Sequence, residues 1–245
     1  MRVIDPRTAV VEKRLAGVRR VIAVASAKGG VGKTFCTTAA GIALTRAGKT
    51  VGILDLDLQG ASVHVFLGVT PGFPAEERGI LPLPAGPGLS LMSAAAFSGE
   101  RPLPLRGASV TDALRELLAV TRWGSLDVLL VDMPPGLGEE ILDLARLVPR
   151  LETVVVSTPA RVSVVVVERL LKLLRAMKVP VLGLIANMAD SAGDAQGLAS
   201  RAGVPFLGCV AVDPGLETRV GRPRDIAESP AMVGILAALR AAGLL

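Results

Sequence analysis

The sequence predicts an α/β fold, a three-layer α/β/α arrangement around a mostly parallel, doubly wound sheet. Three observations lead there. Short aliphatic runs alternate with longer helical segments along most of the 245 residues. Hydrophobic residues make up 51% of the chain, yet it has five Phe, one Trp and no Tyr, so Val, Ile, Leu and Ala must carry the core, as in a parallel sheet covered on both faces. The first aliphatic run also leads through a glycine-rich turn straight into a helix.

Each element follows from local pattern. Val21–Ala25 (VIAVA) reads as a buried strand, Thr34–Ala47 as a helix stopped at Gly48, and Thr50–Leu54 as a second strand, which completes a βαβ unit. Proline and glycine recur from Pro71 to Pro87, which reads as a surface loop with a hairpin around Gly79–Pro82. A short strand follows at Leu89–Met92, a connection at Pro102–Gly107 and a helix at Val110–Val120. Leu126–Val131 (LDVLLV) has the continuous apolar character of a central strand and is ended by Pro134 and Pro135. Helix and strand then alternate: Glu139–Val148, Thr153–Ser157, Val162–Met177 and Val181–Ala186. The chain closes with a helix at Ala192–Ala202, a strand at Phe206–Cys209 and a helix at Ala231–Ala242. No repeat is visible, and uneven loops with too few βα units exclude a barrel.

Charge and cysteine content narrow the function classes. The formal charge of +5 permits acidic partners, but the basic residues are scattered, and their densest group is Lys13, Arg14, Arg19 and Arg20. That spread reads as a solvated surface, and scarce aromatic residues argue against a single-strand nucleic-acid platform. Cys36 and Cys209 stand alone, so no disulfide framework is implied. No apolar leader core and no membrane-length apolar run is visible, which sets the expectation of a cytoplasmic protein.

The most specific signal is KGGVGKT, Lys28–Thr34, between strand VIAVA and the following helix. Glycines let such a loop turn its amide groups inward toward phosphate oxygens, and the helix start adds its positive end. Gly29, Gly30, Val31, Gly32 and Phe35 would line an ATP site, Lys33 would reach the β and γ phosphates, and the Thr34 hydroxyl would ligate Mg²⁺. Ala27 stands where the usual motif has its first glycine, so this is a variant loop. Lys28 is a further charge that an ordinary loop of this kind lacks, directed at phosphates of its own site or of a second subunit.

Carboxylates follow two strands. Asp55 and Asp57 in LDLDLQG are expected on one side of an extended chain, facing the phosphate end of the sheet. Asp57 is the candidate for positioning the attacking water, and Asp55 reads as a carboxylate on the Mg²⁺ side or a structural one. Asp132, in DMPPG, ends its strand as a Walker-B residue does and would hold Mg²⁺ through a water. Gly136 would offer an amide near the γ-phosphate as part of a switch, and the Asn187 amide can read a base edge. The single histidine, His64, reads as a helix-surface residue.

Taken in order, VIAVASAKGGVGKT, LDLDLQGAS, WGSLDVLLVDMPPGLGEE, VVVSTPA and GLIANM resemble the Mrp/Nbp35 family of P-loop ATPases, within the MinD/ParA-like group that carries a deviant Walker A motif. LMSAAAF, PLRG and GVPFLGCVAVDPGL add to the likeness, which runs from about Gly17 to the C-terminus and leaves residues 1–16 as an N-terminal extension. The resemblance implies a homodimer with two nucleotides at its interface. In it Lys28 would cross to the partner's phosphates, Asp57 would be the catalytic switch aspartate and Asn187 the adenine contact. It further implies a [4Fe-4S] cluster held between subunits and passed to an apo-protein client. Here the sequence departs from the family pattern. The family's CxxC follows the NM motif, whereas the residues after Asn187 and Met188 read ADSAGDAQGLASRAG. Cys36 reads as an interior residue and Cys209 as an isolated one, so direct cluster carriage is not expected. The alternative expectation is a ParA- or MinD-like positioning switch on DNA or membrane, although the tail AMVGILAALRAAGLL lacks the basic polar face of a lipid-bound helix. A third is an ATP-gated scaffold.

Overall fold

The computed structural model describes residues 6–58, 60–98, 108–136 and 139–245. After α1 (Pro6–Leu15), β1 (Val18–Ala25), α2 (Lys33–Arg46) and β2 (Val51–Asp55) form the βαβ unit. Then come α3 (Val63–Leu67), β3 (Leu83–Gly86), β4 (Leu89–Ser93), α4 (Ala95–Ser98) and α5 (Ala108–Val120). The second half contains β5 (Leu126–Asp132), α6 (Glu139–Leu147), β6 (Leu151–Ser157), α7 (Arg161–Ala176), β7 (Val181–Asn187), α8 (Gly193–Ala202) and β8 (Phe206–Val210). Three helices, α9 (Leu216–Arg219), α10 (Pro223–Ala227) and α11 (Pro230–Ala241), close the chain.

The eight strands form one sheet in the order β3-β4-β2-β5-β1-β6-β7-β8, parallel throughout except for the antiparallel edge strand β3. Both faces are covered. Along β1, Val21, Ala23 and Ala25 enter one aliphatic core while Ile22 and Val24 enter the other. This two-sided burial is why the central strands are continuously apolar rather than alternating. Burying α2 almost entirely requires small residues on it. A Cβ on its Gly41 would stand 2.8 Å from Ile53 Cδ1, so glycine lets the helix lie close on β2.

The structure differs from the sequence expectation in three places, and a fourth expectation lies outside the described residues. The hairpin expected around Gly79–Pro82 is instead formed by β3 and β4 around Pro87 and Gly88, where Gly88 adopts φ 71°. The 76–82 stretch contributes only isolated bridges, Glu76 to Ile80 and Ile80 to Thr121. His64 is helical but buried at 7% exposure, because α3 is pressed between α2 and β4 rather than riding on the surface. The connection at 102–107 lies outside the described residues. Finally, Pro6–Leu15, within the expected N-terminal extension, form α1, whose Val11 and Leu15 enter the core and which packs on α5.

The packing of α1 predicts a cost when it is trimmed. Leu15→Ala should lower the unfolding free energy by about 2–4 kcal/mol in urea denaturation, the range for a leucine removed from a closed core. A loss under about 0.5 kcal/mol would mean that α1 is not part of the cooperative unit.

Candidate nucleotide site

The carboxyl ends of β1, β2, β5 and β7 converge on one edge of the sheet, where crevices in open α/β sheets lie. Residues 26–32 form a loop between β1 and α2 with Gly30 at φ 75° and Gly32 at φ 76°, left-handed positions that side-chain-bearing residues rarely take. Gly32 also cannot carry a side chain for a second reason: its Cβ would fall 2.2 Å from Asn187 Nδ2. Within the loop the Ser26 hydroxyl donates to the Lys28 carbonyl at 3.0 Å. Lys28 is half-buried, and Gly29 and Gly30 are exposed.

Behind the loop the charged groups are buried together. Lys33 is the first residue of α2, and its Nζ lies 2.7 Å from Asp132 Oδ1. The approach is close enough for a strong ion pair, but its angles fall outside those of a directed hydrogen bond. The Thr34 hydroxyl donates to Asp132 Oδ2 at 2.8 Å. The Thr37 hydroxyl lies 2.7 Å from Asp132 Oδ1 and 3.0 Å from the Lys33 carbonyl, and its single proton favours the charged acceptor. Asp132, fully buried, is thus held by one cation and two hydroxyls. The contribution of Thr37 escaped sequence reading, although its i+3 spacing from Thr34 puts both hydroxyls on one helix face.

Asp55 stands directly beside Asp132 across the β2–β5 register, and it too is fully buried. Burial above all, and then the Asp132 charge, push its carboxyl up to about 7. Its acceptor capacity is used by backbone: Asp57 N–H at 3.2 Å on one oxygen, Ser62 N–H at 3.1 Å and Val63 N–H at 3.2 Å on the other. Asp55 therefore fastens the start of α3. β2, along which Asp55 and Asp57 were expected to share one side, ends at Asp55. Asp57 sits half-buried in the following turn, where its Oδ1 accepts the Gly60 N–H at 2.9 Å.

Three other predicted residues occupy different settings from those expected. The Gly136 N–H, expected to face a γ-phosphate, donates instead to the Ser26 carbonyl at 2.9 Å, tying the 133–136 segment to the loop. The Phe35 side chain is buried in the core with its ring 6.1 Å from that of Phe66, so only its backbone can serve a ligand. Asn187, buried at the end of β7, spends its amide Nδ2 on the Val31 carbonyl at 2.8 Å rather than facing open space. Met188 follows at φ 55°, its methyl 3.2 Å from where a Gly32 Cβ would be. Sequence reading could not foresee this latch, because Val31 and Asn187 are 156 residues apart.

The cysteines do not approach each other. Cys36 is buried in the core on one face of the sheet, where desolvation and the Asp132 charge push its thiol up to about 12. Cys209 packs against the core of the other face, and burial raises its thiol as well. Among the described residues no group of three or more His, Cys, Asp or Glu side chains is arranged to hold a metal on its own. A magnesium ion in an ATP site needs fewer protein ligands, and the Thr34 hydroxyl and Asp132 carboxylate, 2.8 Å apart, supply the hard oxygen donors it prefers.

The chain is similar to several known proteins. A family model described as ParA, NUBPL iron-transfer P-loop NTPase, matches residues 17–232. The human cytosolic Fe-S cluster assembly factor NUBP2 is 37% identical over 247 residues, which cover 90% of this chain and 91% of that protein. An iron-sulfur cluster carrier protein of Saccharolobus solfataricus is 33% identical over 223 residues, covering 84% of this chain and 75% of the relative. Among solved structures, a nucleotide-binding protein from Archaeoglobus fulgidus in complex with ADP superposes with a TM-score of 0.79 at 29% identity, covering 92% of this chain and 95% of that one. The Pyrococcus furiosus cell division ATPase MinD shares the fold, with a TM-score of 0.63 at 18% identity over 88% of this chain and 97% of its own.

The buried carboxylate pair predicts a pH dependence. Asp55 holds its proton more tightly when folded than unfolded, so its contribution to stability is fully present below about pH 4 and is lost as the pH rises through about 7. In nucleotide- and metal-free protein, the unfolding free energy should fall between about pH 4 and 7, and Asp55→Asn should flatten that slope. An unchanged slope in the variant would assign it to other groups.

Proposed function

The chain belongs to the ParA/Mrp–Nbp35 family of P-loop ATPases, and from that premise we propose that it is a magnesium-dependent, homodimeric ATPase of iron–sulfur cluster assembly. The observation that carries the reading is the assembly of Lys33, Thr34 and Asp132 behind a left-handed glycine loop. ATP phosphates would lie against the loop amides and the start of α2. Lys33 would exchange Asp132 for the β and γ phosphate oxygens, so that ligand binding replaces one buried ion pair with another. Thr34 and Asp132 would hold Mg²⁺, which when bound neutralises charge accumulating on the phosphates.

The remaining roles follow from position. Asp57 uses one carboxylate oxygen on Gly60, and the other would orient a water toward the γ-phosphorus. Attack by that water breaks the bond to the bridging oxygen and yields ADP and phosphate. Lys28 would extend to the phosphates of a second copy, which makes each site complete only in the dimer. Asn187 would release Val31 to meet adenine, and that exchange would couple the base to loop geometry. Turnover is slow and stimulated by a partner, because an apo-protein or adaptor client supplies the trigger.

The cluster itself is cargo. Cys36 and Cys209 lie on opposite faces of the sheet, and both thiols are raised, which disfavours the thiolates that iron requires. The chain therefore serves as the ATP-driven member of a carrier assembly in the cytoplasm, with ligating cysteines supplied by a partner. A membrane-positioning role is disfavoured because α11 buries Met232, Ile235 and Leu239 in the core and is not free to lie on lipid. No described helix is long and apolar enough to cross a membrane.

Two measurements test this reading. Asp57→Ala should reduce ATP hydrolysis by about 10²-fold or more, the scale of a lost base or water-positioning group, while ADP affinity stays within a few-fold. Hydrolysis at the wild-type rate would remove Asp57 from the chemistry. Anaerobic reconstitution of the isolated chain with iron and sulfide should give no stoichiometric cluster. A cluster at one per dimer that disappears in Cys209→Ser would overturn the assignment of ligation to a partner.

A further inference from the structure

The densest basic group of the sequence divides in two when folded. Arg19 and Arg20 are neutralised, Arg19 by Asp127 at 3.0 Å and Arg20 by Glu152 at 2.8 Å. Lys13 and Arg14 instead turn from the end of α1 toward a groove of about 690 Å³, whose other walls are Arg78, Arg122 and Trp123. The groove lies where β1 and β5 begin, marked by the Leu126 N–H bonded to the Gly17 carbonyl at 3.1 Å. The eight residues of β1 separate it from the phosphate loop by roughly 25 Å.

Four features suit the groove to anions. Four cationic side chains converge on it, and among the described residues the acid paired with them is Glu77, exposed and 3.5 Å from Arg122. Arg14 is already fixed, its Nε donating to the Ala119 carbonyl and its Nη2 to the Arg78 carbonyl, each at 2.9 Å. A guanidinium held in this way loses little freedom when it meets a ligand. Among the described residues Arg78 is one of three non-glycine residues with positive φ (52°), a conformation that glycine or asparagine would adopt at lower cost. The groove is also lined by Trp123, whose Cε3–Cζ3 edge faces Gly52 and whose buried Nε1 has no hydrogen-bond partner among the described residues.

We propose that this groove binds a small oxyanion of two or more charges, a phosphate or a polycarboxylate, at a site separate from the nucleotide. Its volume is that of a small-molecule site, and arginine forks match either oxyanion in bidentate fashion. Lys13 and Arg78, which have no acidic partner among the described residues, supply charge without an ion pair to break.

The test is calorimetric titration of the full chain, held in excess Mg·ADP so that the phosphate loop is filled, with inorganic phosphate and separately with tricarballylate. Chloride at matched ionic strength is the control, and emission of Trp123, the chain's single tryptophan, locates the response. Saturable binding of either anion, weakened at least tenfold in both Arg78→Glu and Lys13→Glu, supports the site, and the anion that binds identifies the ligand class. The two variants should keep wild-type circular dichroism and ADP affinity. Lys13 is exposed on α1, so Lys13→Glu decides alone if Arg78→Glu fails to fold. A response no different from chloride, or saturable binding equal in wild type and Lys13→Glu, overturns the proposal.

Discussion

Two carboxylates, Asp55 and Asp132, end neighbouring strands in direct register with no solvent access, and one lysine, Lys33, stands between them and the phosphate loop. Much of the site follows from that constraint. A buried carboxylate without a partner is costly, so Asp132 draws in Lys33, Thr34 and Thr37, while Asp55 takes three backbone amides and a raised proton affinity. The start of α2, the end of β5 and the start of α3 are thereby fixed to one another before any ligand arrives. In the proposed function phosphate would enter as a competitor for Lys33 rather than as an addition to an empty pocket.

The loop above this cluster is held by short bonds of its own. Ser26 accepts from Gly136 and donates to Lys28, and Asn187 reaches Val31 from the far side. Segments from three strand ends, those of β1, β5 and β7, therefore meet at the loop backbone. A change in loop geometry on nucleotide binding would be felt at Gly136 and at Asn187 together. At the opposite end of the sheet the basic groove is framed by α1 and the start of β5, away from this machinery.

What could be read in the sequence was set by how local each determinant is. Continuous aliphatic strands such as LDVLLV, and a glycine loop followed by Lys33 and Thr34, carry their structure in adjacent residues, and the parallel sheet and the loop follow. Short helices did not show: α4, α9 and α10 are four or five residues long, too short for a periodic signal. The β3 strand was hidden by the prolines that mark it as an edge, since Pro84 can sit only where its missing N–H is not needed. The settings of Asn187, Gly136 and His64 depend on partners far away in sequence, and no local pattern encodes them. The Asp57 position turned on a single residue, the point at which β2 stops.

The account rests most directly on Lys33 as the residue that passes from Asp132 to phosphate. The decisive measurement is hydrolysis of ATP by the purified chain, with and without Mg²⁺, alongside Lys33→Ala checked for retained fold. The account predicts activity that requires Mg²⁺ and is lost in the variant together with tight ATP binding. ATP binding and hydrolysis that persist in Lys33→Ala would contradict it.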